Sequence, residues 1–317
     1  ALAYTGSPVD NAQVRYRGVR EPRYPFWWSY YFPSAGGAAQ EIKNGIINTD
    51  ALGRFSIEFT AIPDLKVPAD PNISFRYTVY ADITDTAGET RSATTSLSIG
   101  YRSIYLSIAT KDHIMENEEF ELSLASYTLN GEFFPTKGLL KIYKLKEPAK
   151  PLLAKLWDNP DKEAEFGTNW AAWPIDEEIK SFNYDTEDSN PFKVPVELGT
   201  GLYKIEAVGR DTNDNDIGAF LPLIISPDPE RRIFPIKLPF YSKMITPTAN
   251  VGETFKMIWG TGYKDGMAFI EISSDREIIK NYWTKAGETQ HIITCDILEK
   301  HRGGLMVTIF FVSENRN

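Results

Sequence analysis

The sequence predicts an all-β protein of tandem antiparallel β-sandwiches, with three units of which the third is incomplete. This prediction rests on segments in which apolar and polar residues alternate, on the turn residues between them, and on a pattern that occurs twice. In residues 77–84 alternate side chains are apolar, as in a strand with one buried face, and residues 85–88 supply turn chemistry. Nearly the same pattern returns in residues 203–216, at a constant offset of 126 residues from Tyr77 to Tyr203. The recurrence indicates a domain that occurs more than once.

The length and composition of the chain fit several small cores. At 317 residues it exceeds the ~100–200 residues of an ordinary domain, and 42% hydrophobic with 13% aromatic residues excludes a disordered chain. A net charge of −9 gives no support to nucleic-acid binding. No apolar run approaches the ~20 residues that cross a bilayer, so no membrane span is predicted. Because the chain begins at Ala1 with neither Met nor a signal peptide, we expect a fragment or a processed product.

The first unit, residues 1–100, consists almost entirely of predicted strands and turns. Phe55, Ile57 and Phe59 form one apolar face, and three prolines in residues 63–71 mark a surface loop. Short strands with regularly spaced turns are typical of a β-sandwich. The predicted strands are residues 12–19, 26–32, 41–49, 53–61, 77–84 and 94–100.

The second unit, residues 101–226, has four clear strands and a long insertion. In residues 148–195 the alternation fades, and a loop of that length is unusual in a compact domain. The insertion contains Trp157, Trp170 and Trp173, which indicates that it packs on another part of the protein. The clear strands are residues 120–127, 138–145, 201–209 and 219–226.

The third unit, residues 227–317, begins in a proline-rich linker that covers residues 226–239. Residues 305–312 (LMVTIFFV) align with residues 202–209 and 76–83, which are late strands of the earlier units. The strand that should follow is missing, so we expect this unit to be incomplete and to end in an open sheet edge. Its predicted strands are residues 253–260, 267–274, 277–284, 289–297 and 305–313.

The sequence contains no motif of a serine hydrolase, a nucleotide-binding enzyme or a zinc site. His113, His291 and His301 are the only histidines, and none has a second ligand at zinc spacing. A glycosidase stays open on motifs alone, because its two carboxylates have no fixed spacing. Cys295, the single cysteine, shares a strand face with two isoleucines and is interpreted as a core residue rather than a nucleophile. We predict no enzyme activity, no cofactor and no metal.

One polar segment, residues 211–218 (DTNDNDIG), has a partial calcium-loop pattern. Oxygen ligands at Asp211, Asn213 and Asn215 match the first three spacings of such a loop. Asp216 stands where glycine is required, and the bidentate glutamate is replaced by proline. A polar hairpin turn is therefore the preferred interpretation.

The best candidate for a ligand surface is the aromatic cluster of residues 24–32 (YPFWWSYYF), with Trp27 and Trp28. Exposed tryptophan and tyrosine stack on sugars or anchor protein partners. Since strand alternation places aromatic rings on both faces, at least one face is core, and packing between domains is preferred to sugar binding. The possible interaction surface comprises Trp27, Trp28, Trp157, Trp170 and Trp173.

Several segments together resemble bacterial alpha-2-macroglobulin family proteins, and most closely those of Bacteroidetes type. They are residues 6–20, the Trp27–Trp28 pair, residues 48–59 and residues 80–101, while the third unit resembles a later macroglobulin-like domain. The resemblance implies macroglobulin-like sandwiches whose partners are neighbouring domains of the same kind. It also implies that the parent protein is exported, either to the periplasm or as a lipoprotein anchored in the outer membrane, and that proteases are partners of that parent.

In this family a protease cuts an exposed bait segment and is enclosed, and many members couple to it through a Cys-Gly-Glu-Gln thioester. Cys295 is followed by Asp-Ile-Leu, so it does not match the thioester cysteine. The implied function is a non-catalytic scaffold segment of a protease-trapping inhibitor, with thioester and bait outside this chain. The alternative is a cell-surface adhesin or carbohydrate-binding array of immunoglobulin-like sandwiches that uses the tryptophans above, and a third is the accessory region of a glycosidase.

Overall fold

The computed structural model describes residues 1–2, 6–24, 38–70, 72–152, 166–167, 169–210, 214, 216–275 and 277–312. Within these ranges the chain forms eighteen β-strands and two three-residue 3-10 helices, and no α-helix. The predicted all-β class is therefore confirmed. No helix in the described ranges is long and apolar enough to cross a membrane.

The first four strands form one antiparallel sheet, in the order β2-β1-β3-β4. Val14 and Tyr16 point to the buried face of the sheet while the residues between them are exposed, which is the alternation expected of a half-buried strand. The strands are β1 (Gln13–Arg23), β2 (Gln40–Asn48), β3 (Ser74–Thr84) and β4 (Thr90–Gly100).

Residues 53–61 do not form the predicted strand. Phe55, Ile57 and Phe59 are half-buried and pack against the first sheet, so the predicted apolar face is correct. The backbone, however, pairs with none of the described strands. Alternation of apolar and polar residues indicates which side chains are buried. It does not require that the backbone pairs with another strand. The predicted strand of residues 26–32 lies outside the described residues.

The next eight strands form a sandwich of two sheets, β10-β7-β5 and β6-β12-β11-β8-β9. All pairings are antiparallel except that of β6 with β12. Aliphatic side chains from both sheets fill one core, which includes Leu122, Leu140 and Ile205. The strands are β5 (Ile104–Ala109), β6 (Ile114–Met115), β7 (Glu119–Thr128), β8 (Lys137–Leu145), β9 (Ile175–Asp185), β10 (Phe192–Glu197), β11 (Gly201–Arg210) and β12 (Asp216–Ser226).

The insertion of residues 148–195 contains an eleven-residue strand, β9, that the sequence pattern does not predict. β9 pairs with β8 along its whole length but lies at the sheet edge, and most of its side chains are exposed. Its acidic stretch, Asp176, Glu177 and Glu178, lies on this edge strand. Ile179, Phe182 and Tyr184 of β9 pack on the core of the second sandwich, but two register shifts interrupt the alternation of its inward residues. Charged residues are typical of an edge strand.

The last six strands form another sandwich, from the sheets β13-β14-β17 and β16-β15-β18. Its core surrounds the fully buried Trp259, with Ile270 and Ile293 from the two sheets. The strands are β13 (Tyr241–Met244), β14 (Thr254–Gly260), β15 (Met267–Ser274), β16 (Glu277–Trp283), β17 (Gln290–Asp296) and β18 (Met306–Val312). We refer to the β5–β12 and β13–β18 assemblies as the second and third sandwiches.

The repeated sequence pattern corresponds to a repeated hairpin, as predicted. β3 and β4 pair Phe75 with Ile99, and β11 and β12 pair Gly201 with Ile225 at the same offset. The turn residue with positive φ is also shared, since Gly88 has φ 88° and Asp214 has φ 62°. Glycine adopts this conformation without cost, and aspartate is one of the few other residues that tolerate it.

The predicted alignment of β18 with β11 and β3 is wrong by one residue. Val307, Ile309 and Phe311 face the core of the third sandwich, whereas the predicted alignment directs Met306 and Phe310 inward. A one-residue shift moves every side chain of a strand to the opposite face. Because nearly every residue of β18 is apolar, its sequence does not define which face is buried.

Candidate functional site

The second and third sandwiches meet at a buried apolar cluster, which we call the joint. It is separate from the sandwich cores and combines residues of the second sandwich, of the linker after β12 and of the third sandwich. Continuous apolar burial is the main stabilising contribution at such a contact. The buried members of the joint are Leu145, Trp173, Leu202, Phe234, Ile236, Leu238, Tyr241 and Ile258.

A short turn of the insertion positions the tryptophans of the joint. The Asn169 side chain accepts a hydrogen bond from the Ala171 N–H at 3.1 Å and so caps the 3-10 helix Trp170–Ala172. The indole N–H of Trp173 donates to the Gly167 carbonyl at 2.6 Å, which satisfies the one polar group of this buried ring. Phe166 meets the same ring edge-on, with centroids 5.8 Å apart. The ring is thereby fixed in position.

The linker is tied to the second sandwich through the carboxylate of Glu116. Arg231 forms an ion pair with it at 2.7 Å, the Asp228 N–H donates at 2.9 Å and the Thr200 hydroxyl donates at 2.5 Å. Burial disfavours the charged form of Glu116, but the hydrogen bonds from Thr200 and Asp228 and the charge of Arg231 outweigh it and lower the pKa of this carboxyl. Glu116 is therefore ionised where it receives these bonds.

A second carboxylate, Glu147, also bonds to the linker. It accepts a hydrogen bond from the Lys237 N–H at 2.7 Å. Its pKa is nevertheless raised, because burial penalises the charge more than the Lys237 contacts favour it. The linker is thus bonded by two carboxyl groups whose pKa values are shifted in opposite directions.

The linker is also bonded to the third sandwich. The Thr289 hydroxyl accepts from the Phe234 N–H at 3.0 Å, and the Gln290 side-chain amide donates to the Asp228 carbonyl at 2.7 Å. Both side chains are buried, so each bond is shielded from competing water. The hydroxyls of Ser226 and Tyr241 form a further buried hydrogen bond across the joint.

The predicted interaction surface is only partly described, and part of it is buried. Trp173 is 4% exposed and lies inside the joint, and Trp170 is half-buried against it. The surface role predicted for Trp173 is therefore wrong, because this ring is covered by the linker, whereas the expectation that the insertion packs on another part of the protein is confirmed. Trp27, Trp28 and Trp157 lie outside the described residues.

The three histidines lie among hydrogen-bonding and charged groups of the chain itself. His301 is buried and its Nδ1 accepts from the Leu298 N–H at 3.1 Å, while His291 lies 3.2 Å from the Tyr282 hydroxyl. His113 has a lowered pKa, from burial first and from the charge of Lys243 second. No group of three acidic, histidine or cysteine side chains in the described part of the chain could hold a metal ion.

Cys295 packs half-buried against the core of the third sandwich, on the face it shares with Ile293. Burial, with a smaller contribution from Asp296, raises the pKa of its thiol. A raised pKa lowers the thiolate fraction, which is the opposite of what a nucleophile requires. The residues that match the calcium-loop spacings, Asp211, Asn213 and Asn215, lie outside the described residues. Asp214 and Asp216 of the same segment form ion pairs with Arg210, at 2.6 and 3.7 Å.

An exposed row of aromatic rings crosses the outer face of the β16-β15-β18 sheet and was not predicted as a surface. Trp283 of β16 and Phe310 of β18 flank Phe269 of β15 in direct register, with centroids 5.3 and 6.4 Å from the central ring. Trp283 is 54% exposed and Phe310 is 59% exposed. Only the pairing register reveals this row, because the three residues are distant in sequence. We call it the aromatic row.

No protein-family model and no curated protein sequence matches the chain. Among solved structures, it is similar to native alpha-2-macroglobulin of E. coli, with 11% identity over 98% of this chain and 20% of that chain, at a TM-score of 0.37. Salmonella alpha-2-macroglobulin reacted with methylamine gives 12% identity, 95% and 20% coverage, and a TM-score of 0.37. A tetra-tandem repeat from the extending region of a large adhesion protein gives 11% identity, 98% and 68% coverage, and a TM-score of 0.24. The chain thus spans about a fifth of the length of these alpha-2-macroglobulins.

Proposed function

We propose that the chain is a non-catalytic scaffold segment of a bacterial alpha-2-macroglobulin-like protein that traps proteases. The joint is the observation that carries the proposal. Its linker contributes apolar side chains to a buried cluster and is hydrogen-bonded to both adjoining sandwiches. Such a contact holds two sandwiches at a set angle, which is what a shell that encloses another protein requires of its segments.

The resemblance of residues 6–20, 48–59 and 80–101 to the alpha-2-macroglobulin family is the second support for this proposal. It is the reason to prefer a protease trap to other scaffolds. On this proposal the three units are macroglobulin-like domains at residues 1–100, 101–226 and 227–317, and the third is completed by sequence of a longer parent. The parent is exported to the periplasm, carries the bait segment, and meets proteases there.

The surroundings of the titratable side chains also support a non-catalytic role. Cys295 has a raised pKa and His301 is enclosed, so neither supplies an activated nucleophile or an accessible base. Carboxylates close to the joint, Glu116 and Glu147, bond to the linker instead of facing an open cleft.

A carbohydrate-binding or adhesin array is the second candidate, and the aromatic row is the observation that favours it. Exposed rings are the usual platform for a sugar. The planes of Phe269 and its neighbours are inclined by 53° and 35°, however, so the three rings do not form one flat platform. A carbohydrate-binding or adhesin array gives the joint no role. The joint therefore favours the scaffold.

The open reading frame that encodes the chain, together with the protein it specifies, provides the test. We expect a Cys-Gly-Glu-Gln or bait-type segment beyond the present residues, and a protein that protects large protein substrates from an added protease while a small peptide substrate is still cleaved. Protection of both substrates alike, or of neither, would contradict trapping. Glycan binding that is lost in Trp283→Ala would favour the second candidate instead.

A further inference from the structure

The outer face of the first sheet carries a polar groove of about 590 Å³. The groove crosses all four strands, on the face opposite the buried side chains of Val14 and Ala81. Its volume lies within the ~300–1,000 Å³ of ordinary ligand sites. Strand pairing arranges its side chains in two rows across the sheet, one with Arg15, Asp82 and Ser92 and the next with Asn44, Arg17 and Tyr80.

Two arginine side chains in this groove are available to a ligand. Arg15 and Arg17 are exposed, and neither forms a hydrogen bond or an ion pair with a residue in the part of the chain that the structure describes. In contrast, Arg23, Arg54 and Arg91 of the same unit each pair with a carboxylate, at 2.9, 3.3 and 2.8 Å. The positive charges of Arg15 and Arg17 are therefore not neutralised by direct contact with an acid.

The two carboxylates of the groove bond to neutral groups instead of these arginines. Asp82 Oδ1 accepts from the Ser92 hydroxyl at 2.5 Å, and Glu41 Oε1 accepts from the Asn44 side-chain amide at 2.5 Å. The second oxygen of each carboxylate accepts no hydrogen bond from the described residues. The groove thus presents guanidinium donors and carboxylate acceptors side by side, and their charges balance.

The ring of Tyr80 holds one of the guanidinium groups in position. Arg17 lies over this ring, with 4.8 Å between the guanidinium carbon and the ring centroid. A guanidinium that is already oriented loses less conformational freedom when it binds a planar acceptor. Tyr80 is itself 39% exposed, so part of its ring is open to the apolar edge of a ligand.

We propose that this groove binds an oligosaccharide that contains uronic acid units. The carboxylate of such a sugar accepts paired hydrogen bonds from the guanidinium groups of Arg15 and Arg17. The hydroxyls of the same sugar donate to the second oxygens of Asp82 and Glu41, and its C–H edge contacts Tyr80. A singly charged carboxylate also suits a groove of balanced charge better than a doubly charged phosphate does, because Asp82 and Glu41 repel the additional charge.

An acidic peptide fits the groove less well than a saccharide. β1 and β3, which form its floor, are each paired with a strand on both sides, so they offer no main-chain groups to an added peptide strand. Acidic side chains also supply no hydroxyl to Asp82 and Glu41, which repel them. This inference does not depend on the proposed protease trap, and the groove is distinct from the aromatic row of the third sandwich.

The test measures binding to the intact chain by isothermal titration calorimetry, with hexasaccharides of galacturonate, of mannuronate and of glucuronate as probes. We expect at least one of them to bind. Its methyl ester, which keeps every hydroxyl and loses the charge, should bind about tenfold more weakly or worse. No binding of any of the three, or equal binding of the ester, would overturn the proposal. A hexaglutamate peptide that binds as tightly as the best saccharide would overturn the assignment to a sugar.

A matched pair of protein variants locates the site. Arg17→Gln should weaken saccharide binding about tenfold, and Arg17→Lys nearly as much, because an ammonium group lacks the planar fork of a guanidinium. Arg76→Gln is the control, since Arg76 is also exposed on the outer face of β3 but lies outside the groove, and it should change binding less than about twofold.

Trp283→Ala, in the aromatic row, should leave saccharide binding unchanged. Circular dichroism verifies that the variants fold, which is expected because the replaced side chains are exposed. Unchanged binding in Arg17→Gln, or an equal loss in Arg76→Gln, would show that the groove is not the site and would overturn the proposal.

Discussion

In the described part of the chain, the junction between the first sheet and the second sandwich differs from the joint between the second and third sandwiches in what fills it. At the joint, aromatic and aliphatic side chains from three parts of the chain form one buried cluster, and polar groups of the linker are bonded on both sides. At the first junction, where β4 leads into β5, a cavity of about 290 Å³ lies between the first sheet and the second sandwich. Arg102, which donates to Asn72 at 2.9 Å, lines this cavity.

This difference follows from the length and composition of the connections. Only three residues, Tyr101–Ser103, separate β4 from β5, and they contribute one aromatic contact, between Phe75 and Tyr101 at 6.4 Å. The linker after β12 supplies Phe234, Ile236 and Leu238, and the insertion adds Trp173. A longer connection thus gives the closer contact, because it brings its own apolar side chains. We expect the joint to behave as one cooperative unit and the first junction to bend more readily.

The largest expected effect is at the joint. Trp173→Ala should lower the free energy of unfolding by about 3–5 kcal/mol, because it removes a buried ring and leaves a cavity. Chemical denaturation followed by tryptophan fluorescence and circular dichroism measures the change. Trp283→Ala, on the exposed face, is the control and should change stability by less than about 0.5 kcal/mol. Similar losses for the two variants would mean that the joint is not a cooperative contact.

The ion pair of the linker comes next in size. Glu116→Gln removes the charge that Arg231 and Asp228 contact, so we expect a loss of about 1–3 kcal/mol at neutral pH. Since the pKa of Glu116 is lowered in the folded protein, its contribution is present above the pKa of the unfolded carboxyl and is lost as the pH falls through the folded pKa. The difference between wild type and variant should therefore vanish in acid. A difference that is independent of pH would contradict the role of the charge.

Glu147 should show the opposite pH dependence. Its raised pKa means that the folded state binds the proton more tightly, so stability is highest below the unfolded pKa and falls as the pH rises through the folded pKa. Glu147→Gln keeps an acceptor for the Lys237 N–H without the charge, and we expect it to be more stable than wild type at neutral pH and equal to it in acid. Urea unfolding at several pH values measures both. A loss of stability at neutral pH would show that the charge itself is needed.

How much of the fold can be predicted from the sequence depends on how regularly apolar and polar residues alternate in each strand. The β3–β4 and β11–β12 hairpins were predicted with their turns, because Tyr77 and Tyr203 begin clear inward-facing series. The sequence does not predict β9, because register shifts interrupt the alternation of its inward residues Ile179, Phe182 and Tyr184. It predicts the wrong buried face for β18, because both faces of that strand are largely apolar. An alternating pattern indicates which face of a strand is buried only where the two faces differ in polarity.

The joint and the aromatic row could not be predicted in the same way. The tryptophans of the insertion indicated packing, but the partners Phe234 and Tyr241 follow them by about sixty residues, and nothing local in the sequence links the two segments. The aromatic row depends on the register of β15 with β16 and β18, which is a property of the folded sheet. At Trp283 the sequence therefore predicts only a strand, residues 277–284.

The smallest expected effect is at the first junction, where Asn130→Ala removes a single contact. The Asn130 side chain accepts from the Ser98 N–H at 2.8 Å and joins the second sandwich to β4, but it is exposed, so we expect the free energy of unfolding to fall by about 0.5 kcal/mol or less.

Cys295 supplies a sensitive readout of both junctions, because its half-buried thiol with a raised pKa should be alkylated slowly in the native state and fast in denaturant. Trp173→Ala should accelerate native alkylation, since the opened joint adjoins the third sandwich, while Asn130→Ala should leave the rate unchanged. If Asn130→Ala accelerates it as much, the first junction is coupled to the third sandwich and the contrast between the two junctions does not hold.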